Sequence, residues 1–201
     1  IEQQKFKLTD FYVRRMKRIA PALLTVIFFC IPLSWYTLVP NAMIDFSQSV
    51  LSSIFFISNF HFWLETGYFE TAASSKPLLH TWSLSVEEQY YLLIPSCMVL
   101  VAKWKKEYML HFFIIVGAVS FILSYGASMQ APNANFFLPF TRMWQIMIGA
   151  ICAHIHIRYG LRSNDGLSII GLLGLIISFF YLHTNTVSIL PISFWPTIST
   201  G

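Results

Sequence analysis

Segment 80–91 brings a histidine and two carboxylates close together in a chain that is otherwise poor in charge. If the segment is helical from His80, one face of that helix carries His80, Ser83, Leu84, Glu87 and Tyr91. A histidine and a glutamate on one face can accept and return a proton, which is the chemistry of a general acid–base pair. The spacing therefore favours His80 and Glu87 as candidate catalytic residues.

The same segment also has a purely structural interpretation. Ser85 followed by Glu88 has the spacing of a capping box, which predicts a helix start near residues 83–85. Glu87 and Glu88 would then stabilise the positive end of the helix dipole, and Trp82 would lie at the membrane interface. The pattern alone leaves both interpretations open.

A second candidate site is the basic run Arg14-Arg15-Met16-Lys17-Arg18. Arg15 and Arg18 are three residues apart and share a helical face. A guanidinium group binds phosphate oxygens in bidentate fashion, so the pair predicts a cytoplasmic phosphate clamp. The alternative, which the spacing alone favours, is a basic anchor that contacts anionic lipid. We expect Asp10 to cap this helix and Pro21 to lie in the first turn of the next one.

The third candidate is Arg142, which falls a few residues inside the apolar stretch 136–157. An arginine at such a position either extends to the membrane interface or pairs with an anion. Glu87, Glu88 or a ligand anion is the expected partner. The three cysteines lie in apolar stretches at spacings that fit no metal site, so no metal is expected.

The composition identifies the elements that must position these residues. Hydrophobic residues make up 56% of the 201-residue chain, charged residues only 11%, and the mean hydropathy is +0.61. A soluble domain carries about 25% charged residues, which argues against an ordinary soluble enzyme, and the aromatic content excludes disorder. The chain is therefore predicted to be an all-α, polytopic bundle of transmembrane helices.

Charge placement predicts how the bundle crosses the membrane. The candidate crossings are 19–39, 82–102, 108–129, 136–157 and 167–183, and loops before and between them hold 11 of the 13 Lys and Arg residues. The positive-inside rule places these loops in the cytoplasm, which leaves no room for a crossing at 46–64. That serine-rich stretch is therefore predicted to be a re-entrant segment lining a polar cavity. The alternative is a serine-rich span that breaks the charge rule.

Four patches of the sequence, in order, resemble the acyltransferase family 3 membrane proteins, which are bacterial O-acyltransferases that modify cell-surface glycans. The patches lie at 10–21, 57–69, 78–91 and 141–150, and the third is the most specific. The resemblance implies acyl transfer, expected to be acetyl, from cytoplasmic acetyl-CoA to a glycan hydroxyl outside the bacterial inner membrane. It implies a surface glycan or lipid-linked saccharide as acceptor, such as lipopolysaccharide O-antigen or peptidoglycan, with no bound cofactor and no nucleic acid.

Carried over to this chain, the resemblance makes Arg15 and Arg18 the donor-binding residues. The candidate catalytic residues and their neighbours would line the transfer cavity: His80, Trp82, Ser83, Glu87, Tyr91 and Arg142. Gln145 departs from the family, which commonly has a glutamate there. The family's proposed catalytic histidine belongs to a span that would precede residue 1. We therefore expect residues 1–201 to be a piece of an acyltransferase-3-type transmembrane domain that is inactive alone.

Two other classes of protein fit the same charges. In a polytopic solute transporter or glycan flippase, buried Glu, Arg and His would form a path for the solute. In a structural membrane subunit, the charges would only pair with each other.

Overall fold

The computed structural model describes residues 7–65, 76–160, 165–184 and 197, and in these ranges all regular structure is helical. The helices are α1 (Leu8–Thr37), α2 (Pro40–Ile54), α3 (Ser58–Glu65), α4 (Thr81–Trp104), α5 (Met109–Gln130), α6 (Pro132–Phe137), α7 (Met143–Tyr159) and α8 (Asp165–Thr184). Short 3-10 turns at Lys106–Tyr108 and Pro139–Thr141 precede α5 and α7. The predicted all-α class is confirmed.

Among the described residues, two helical segments are long and apolar enough to cross a membrane. They are Leu8–Thr37 and Lys106–Gln130, which contains α5. The 24-residue α4 has the length, but it carries Glu87, Glu88 and Lys103. The number of crossings therefore stays a prediction. The chain divides into two compact units, 1–100 and 101–201, which are described separately.

In the first unit, α1 is one helix where the sequence predicted two. It runs without a break for 30 residues, through Pro21 and Pro32, and Lys7 rather than Asp10 occupies the position before its first turn. A helix of this length measures about 45 Å. A proline removes only one backbone hydrogen bond, and in an apolar setting neighbouring groups can offset that loss. The basic run and the apolar stretch therefore belong to one continuous helix.

The stretch predicted not to cross is a helical hairpin. Helices α2 and α3 have 15 and 8 residues. By the helical rise they are about 22 and 12 Å long, and both are shorter than the roughly 30 Å hydrocarbon core. They join at residues 55–57, where Phe56 has a positive φ of 54°. Neither helix is long enough to span a bilayer alone.

The hairpin packs against α1 through apolar side chains. Phe46 of α2 is buried with Leu23 and Ile27 of α1 and with Leu78, which precedes α4. Partly buried side chains complete this core: Cys30, Leu38, Met43, Val50, Phe56 and Leu84. Because α2 follows α1 after a two-residue connection, these contacts make the two helices antiparallel.

In the second unit, α5 packs along α7. A Cβ at Gly117 would lie 3.2 Å from the Cβ of Met147, so the missing side chain permits this close approach. The buried hydroxyl of Ser120 donates to the Phe140 carbonyl at 2.6 Å and accepts from the Trp144 backbone N–H at 2.9 Å. One serine on α5 thus fixes the start of α7.

The predicted span 136–157 begins later than expected. Helix α7 starts at Met143, and Arg142 occupies the position before its first turn rather than a place within the span. Pro132 and Pro139 each begin a short helical turn ahead of it, because proline favours the first helical position and lacks the N–H that a continuing helix needs. The Cζ atom of Arg142 lies 4.8 Å from the centre of the Phe136 ring.

We expect Ser120→Ala to destabilise the second unit, because it leaves the buried Trp144 N–H and the part-buried Phe140 carbonyl without this partner. The cost should be about 1–3 kcal/mol. Thermal unfolding of the full-length protein in detergent measures it. Ser128→Ala is the control, since the Ser128 hydroxyl bonds only to the Tyr125 carbonyl of its own helix. Equal melting temperatures for the two variants would contradict the role given to Ser120.

Candidate functional site

Arg15 of α1 is held by two side chains of α4. Its Nε donates to both oxygens of Glu88, at 2.9 and 3.1 Å, and its Nη2 lies 2.7 Å from Oε1. Its Cζ atom lies 3.3 Å from the centre of the Tyr91 ring. The Arg15 side chain is 18% exposed and that of Glu88 is 10% exposed. Glu88 therefore restrains the guanidinium at its edge, and Tyr91 restrains it at its face.

A second contact continues the same pairing of helices. The Tyr12 hydroxyl donates to the Leu92 carbonyl at 2.8 Å and lies 3.0 Å from the Ser96 hydroxyl. Residue 12 meets residues 92 and 96, whereas residue 15 meets residues 88 and 91. Helices α1 and α4 are therefore antiparallel here, and the basic end of α1 lies beside the middle of α4.

These contacts correct one expectation about Glu88. It does not form a capping box, because α4 begins at Thr81 and Ser85 is already in its second turn. Its carboxylate is paired with Arg15. The ionic partners are 73 residues apart in sequence, so spacing could not reveal them. The available signal was that a carboxylate at membrane depth needs a cation.

The two predicted donor-binding arginines differ in their surroundings. Arg15 is paired and half-buried, whereas Arg18, one turn further along α1, is exposed. Their role in donor binding stays a prediction. The structure adds that only one of the two is held in a fixed orientation by its neighbours.

The predicted catalytic face of α4 is largely uncovered in the first unit. Ser83 and Glu87 are exposed, and His80 is exposed in the turn before the helix. The Ser83 hydroxyl donates to the His80 carbonyl at 3.1 Å. Trp82 and Tyr91 are half-buried, the latter against Arg15. The catalytic and cavity-lining roles of these residues stay predictions.

A buried polar stripe on the opposite side of α4 was not predicted. Thr81, Ser85 and Gln89 recur every fourth residue and face the α2–α3 hairpin. The Ser58 and Ser85 hydroxyls lie 2.7 Å apart, and Thr81 Oγ1 lies 2.8 Å from the Ser53 hydroxyl. Polar residues at every fourth position of a helix lie on one face, and this pattern could have indicated the contact.

Gln89 binds the bend of the hairpin itself. Its Nε2 donates to the Phe56 carbonyl at 2.7 Å and to Asn59 Oδ1 at 2.8 Å. Asn59 is fully buried, as is Ser58 next to it. Irregular backbone is tolerated in an apolar setting only where protein satisfies its polar groups, and here α4 supplies the partners. Ser53, Ser58 and Asn59 thus serve a contact with α4, and the cavity predicted along 46–64 stays a prediction.

A small cavity of about 50 Å³ lies at the other end of the hairpin, and Asp45, Glu65 and Lys76 are the charged residues in its mainly apolar lining. Lys76 Nζ lies 2.6 Å from Glu65 Oε2, and His61 Nε2 lies 3.2 Å from Glu65 Oε1. Burial lowers the pKa of His61 below its ordinary value, Glu65 opposes this, and Lys76 adds to it. Among the described residues, no three His, Cys, Asp or Glu side chains are grouped to hold a metal ion.

Residues 3–200 match the family model of an acyltransferase domain, the acyltransferase 3 family. The chain belongs to this family. The resemblance seen in the four sequence patches is thereby confirmed, and so is the enzyme class, an O-acyltransferase, at the level of the family. No solved structure matches the chain.

The chain is also similar to curated proteins. It is 32% identical to an uncharacterized protein of Haemophilus influenzae over 95% of this chain and 82% of that protein. It is 30% identical to the O-acetyltransferase OatA of Staphylococcus aureus over 80% of this chain, but over only 27% of OatA. A putative O-acetyltransferase of the same species is 29% identical over 90% of this chain and 32% of its own length.

We expect Gln89→Leu to destabilise the first unit, because the Phe56 carbonyl and the Asn59 amide lose a buried partner. The cost should be about 1–3 kcal/mol. Gln48→Leu is the matched control, since Gln48 is exposed on α2. Thermal unfolding of the full-length protein measures both variants. Equal melting temperatures for Gln89→Leu and the control would show that Gln89 does not stabilise the packing of the hairpin against α4.

The lowered pKa of His61 predicts lower stability in acid. Below the ordinary value of 6.5, the unfolded chain binds a proton on His61 that the folded chain still excludes. Stability should therefore fall as the pH drops from above 6.5 toward the lowered folded pKa. Melting temperatures between pH 7.5 and 5 should show a flatter profile for His61→Gln, but not for a change at the exposed His156. Parallel profiles for wild type and His61→Gln would refute this.

Proposed function

We propose that this chain forms part of a membrane O-acyltransferase that moves an acyl group from cytoplasmic acyl-CoA to a hydroxyl of an extracytoplasmic glycan. Acetyl is the proposed acyl group, and lipopolysaccharide O-antigen or peptidoglycan is the proposed kind of acceptor. Family membership supports the reaction class. The observation that carries the proposal for this chain is the contact of Arg15 with α4, one turn from Glu87.

That contact places the donor-side residue beside the candidate catalytic residue. Tyr91, under the Arg15 guanidinium, follows Glu87 by one helical turn, which is about 6 Å along the axis. The sequence alone put the basic run on one side of the membrane and Glu87 near the other. With Tyr91 in contact with Arg15, the two lie at the same level of the helix pair. Because Arg15 is proposed to bind the donor phosphates, the pantetheine arm must bend back for its thioester to reach Glu87, and the acceptor hydroxyl must travel from the outside.

The proposed chemistry is an ester exchange. The glycan hydroxyl oxygen attacks the thioester carbonyl carbon, a C–O bond forms, and the C–S bond of the donor breaks. A base removes the hydroxyl proton, which ends on the CoA thiol. Glu87 and His80 are the proposed groups for this proton, and Arg15 and Arg18 are proposed to bind the CoA phosphates.

The antiparallel pair α1 and α4 supports a multi-pass location in the bacterial inner membrane. In this proposal α1 leads out of the cytoplasm, α4 leads back, and the α2–α3 hairpin is re-entrant from the outer side. Its two helices are too short to cross, and its bend is satisfied by Gln89 within the protein. A Glu87 carboxylate on an exposed helix face in this setting requires a polar surface opposite it.

Glu87→Gln tests the proposal in the full-length protein in proteoliposomes, with acetyl-CoA outside and glycan inside. A lost general base should lower kcat about 10²–10⁴-fold, because the amide cannot accept the hydroxyl proton. The exposed carboxylate of Glu107, outside this unit, gives the control Glu107→Gln. Radiolabelled acetyl transfer to the glycan is the measurement.

Full transfer by Glu87→Gln would remove that residue from the chemistry. The flippase hypothesis would be favoured over the enzyme by two results together: the wild type transfers no acetyl group, and export of unmodified glycan stops when the gene is deleted.

A further inference from the structure

We propose that Glu88 and Tyr91 are positioning residues that orient the Arg15 guanidinium toward the donor phosphates. This inference rests on the proposed function, since it concerns the site that would bind acyl-CoA. It assigns roles to two neighbours of the predicted donor clamp, one a carboxylate and the other an aromatic ring.

The hydrogen bonds of Arg15 leave one edge of its guanidinium unused by Glu88. A guanidinium has five N–H groups in a fixed planar fork. Glu88 accepts from Nε and lies 2.7 Å from Nη2, so its carboxylate occupies the edge that contains Nε. The other edge, between Nη1 and Nη2, presents two parallel N–H groups. That is the arrangement that binds phosphate in bidentate fashion.

Tyr91 fixes the plane of the same group. The Cζ atom lies 3.3 Å from the ring centre, a separation so short that only a face-to-face approach of guanidinium and phenol ring avoids a clash. Stacking sets the tilt of the plane, and Glu88 sets the rotation within it. Ordering a long arginine side chain costs rotamer entropy. With Arg15 already ordered, little of this cost falls on donor binding.

The negative charge of Glu88 indicates that Arg15 acts by orienting the donor phosphates more than by attracting them. A carboxylate beside a clamp arginine weakens the attraction of that arginine for phosphate, so attraction alone would favour an unpaired residue. Arg18, exposed one turn away, supplies that kind of charge. The two arginines therefore have different roles. Arg15 sets geometry, whereas Arg18 adds long-range attraction that salt screens.

A merely structural ion pair between α1 and α4 is the competing explanation, and donors with and without phosphate separate the two. The experiment uses the full-length protein in nanodiscs with acetyl-CoA or with the phosphate-free thioester S-acetyl-N-acetylcysteamine. We expect Glu88→Gln to raise the KM for acetyl-CoA about tenfold and to leave kcat/KM for the phosphate-free donor within about twofold. Tyr91→Leu should raise the KM for acetyl-CoA more than that for the phosphate-free donor, and Tyr91→Phe, which retains the ring, should restore the KM for acetyl-CoA.

An equal loss with both donors, or no loss with either, would overturn the positioning role. The tyrosine variants carry the test if Glu88→Gln does not fold. Direct binding of CoA and of pantetheine by calorimetry separates this inference from the proposed function. If the wild type transfers no acetyl group, the proposed reaction fails. The positioning role still holds if Glu88→Gln binds CoA more weakly than the wild type does and binds pantetheine equally well. Equal binding by wild type and variant would overturn it.

Discussion

The antiparallel contact between α1 and α4 is the constraint on which the rest of the first unit depends. It joins Arg15 to Glu88 and Tyr91, and Tyr12 to the backbone of α4. Away from water, an unpaired carboxylate or guanidinium is costly, so each of these groups requires the other. Removing one partner lowers the free energy of unfolding by more than the pair contributes to it, because the remaining charge stays buried without a partner. The relative position of the two helices along their axes follows from that requirement.

Two faces of α4 divide the work of the helix. One carries Thr81, Ser85 and Gln89, which form hydrogen bonds with the hairpin; Ser85 is fully buried and the other two are partly buried. The other carries Ser83 and Glu87, which have no such cover in this unit. Adjacent carboxylates thus have different environments, with Glu88 committed to Arg15 and Glu87 left exposed. This division is what allows one helix to serve both packing and chemistry.

The hairpin shows how polar sequence can serve structure at membrane depth. Ser53, Ser58 and Asn59 are as buried as Phe46 and Phe62. Their side chains form hydrogen bonds with α4, to Thr81, Ser85 and Gln89. A bent backbone with a positive φ at Phe56 needs outside partners for its carbonyl groups. Ser53 and Ser58 therefore contribute to the contact with α4.

The sequence by itself determined the helical class, the family and two segments long and apolar enough to cross a membrane, because hydropathy and local motifs are properties of neighbouring residues. It also predicted that residues 46–64 do not cross the membrane, and they form two short helices. Only the tertiary structure decided that Glu88 binds Arg15, that α1 continues through Pro21, and that Arg142 precedes α7. These facts depend on which distant groups satisfy one another, and a pairing across 73 residues leaves no periodic trace in the chain.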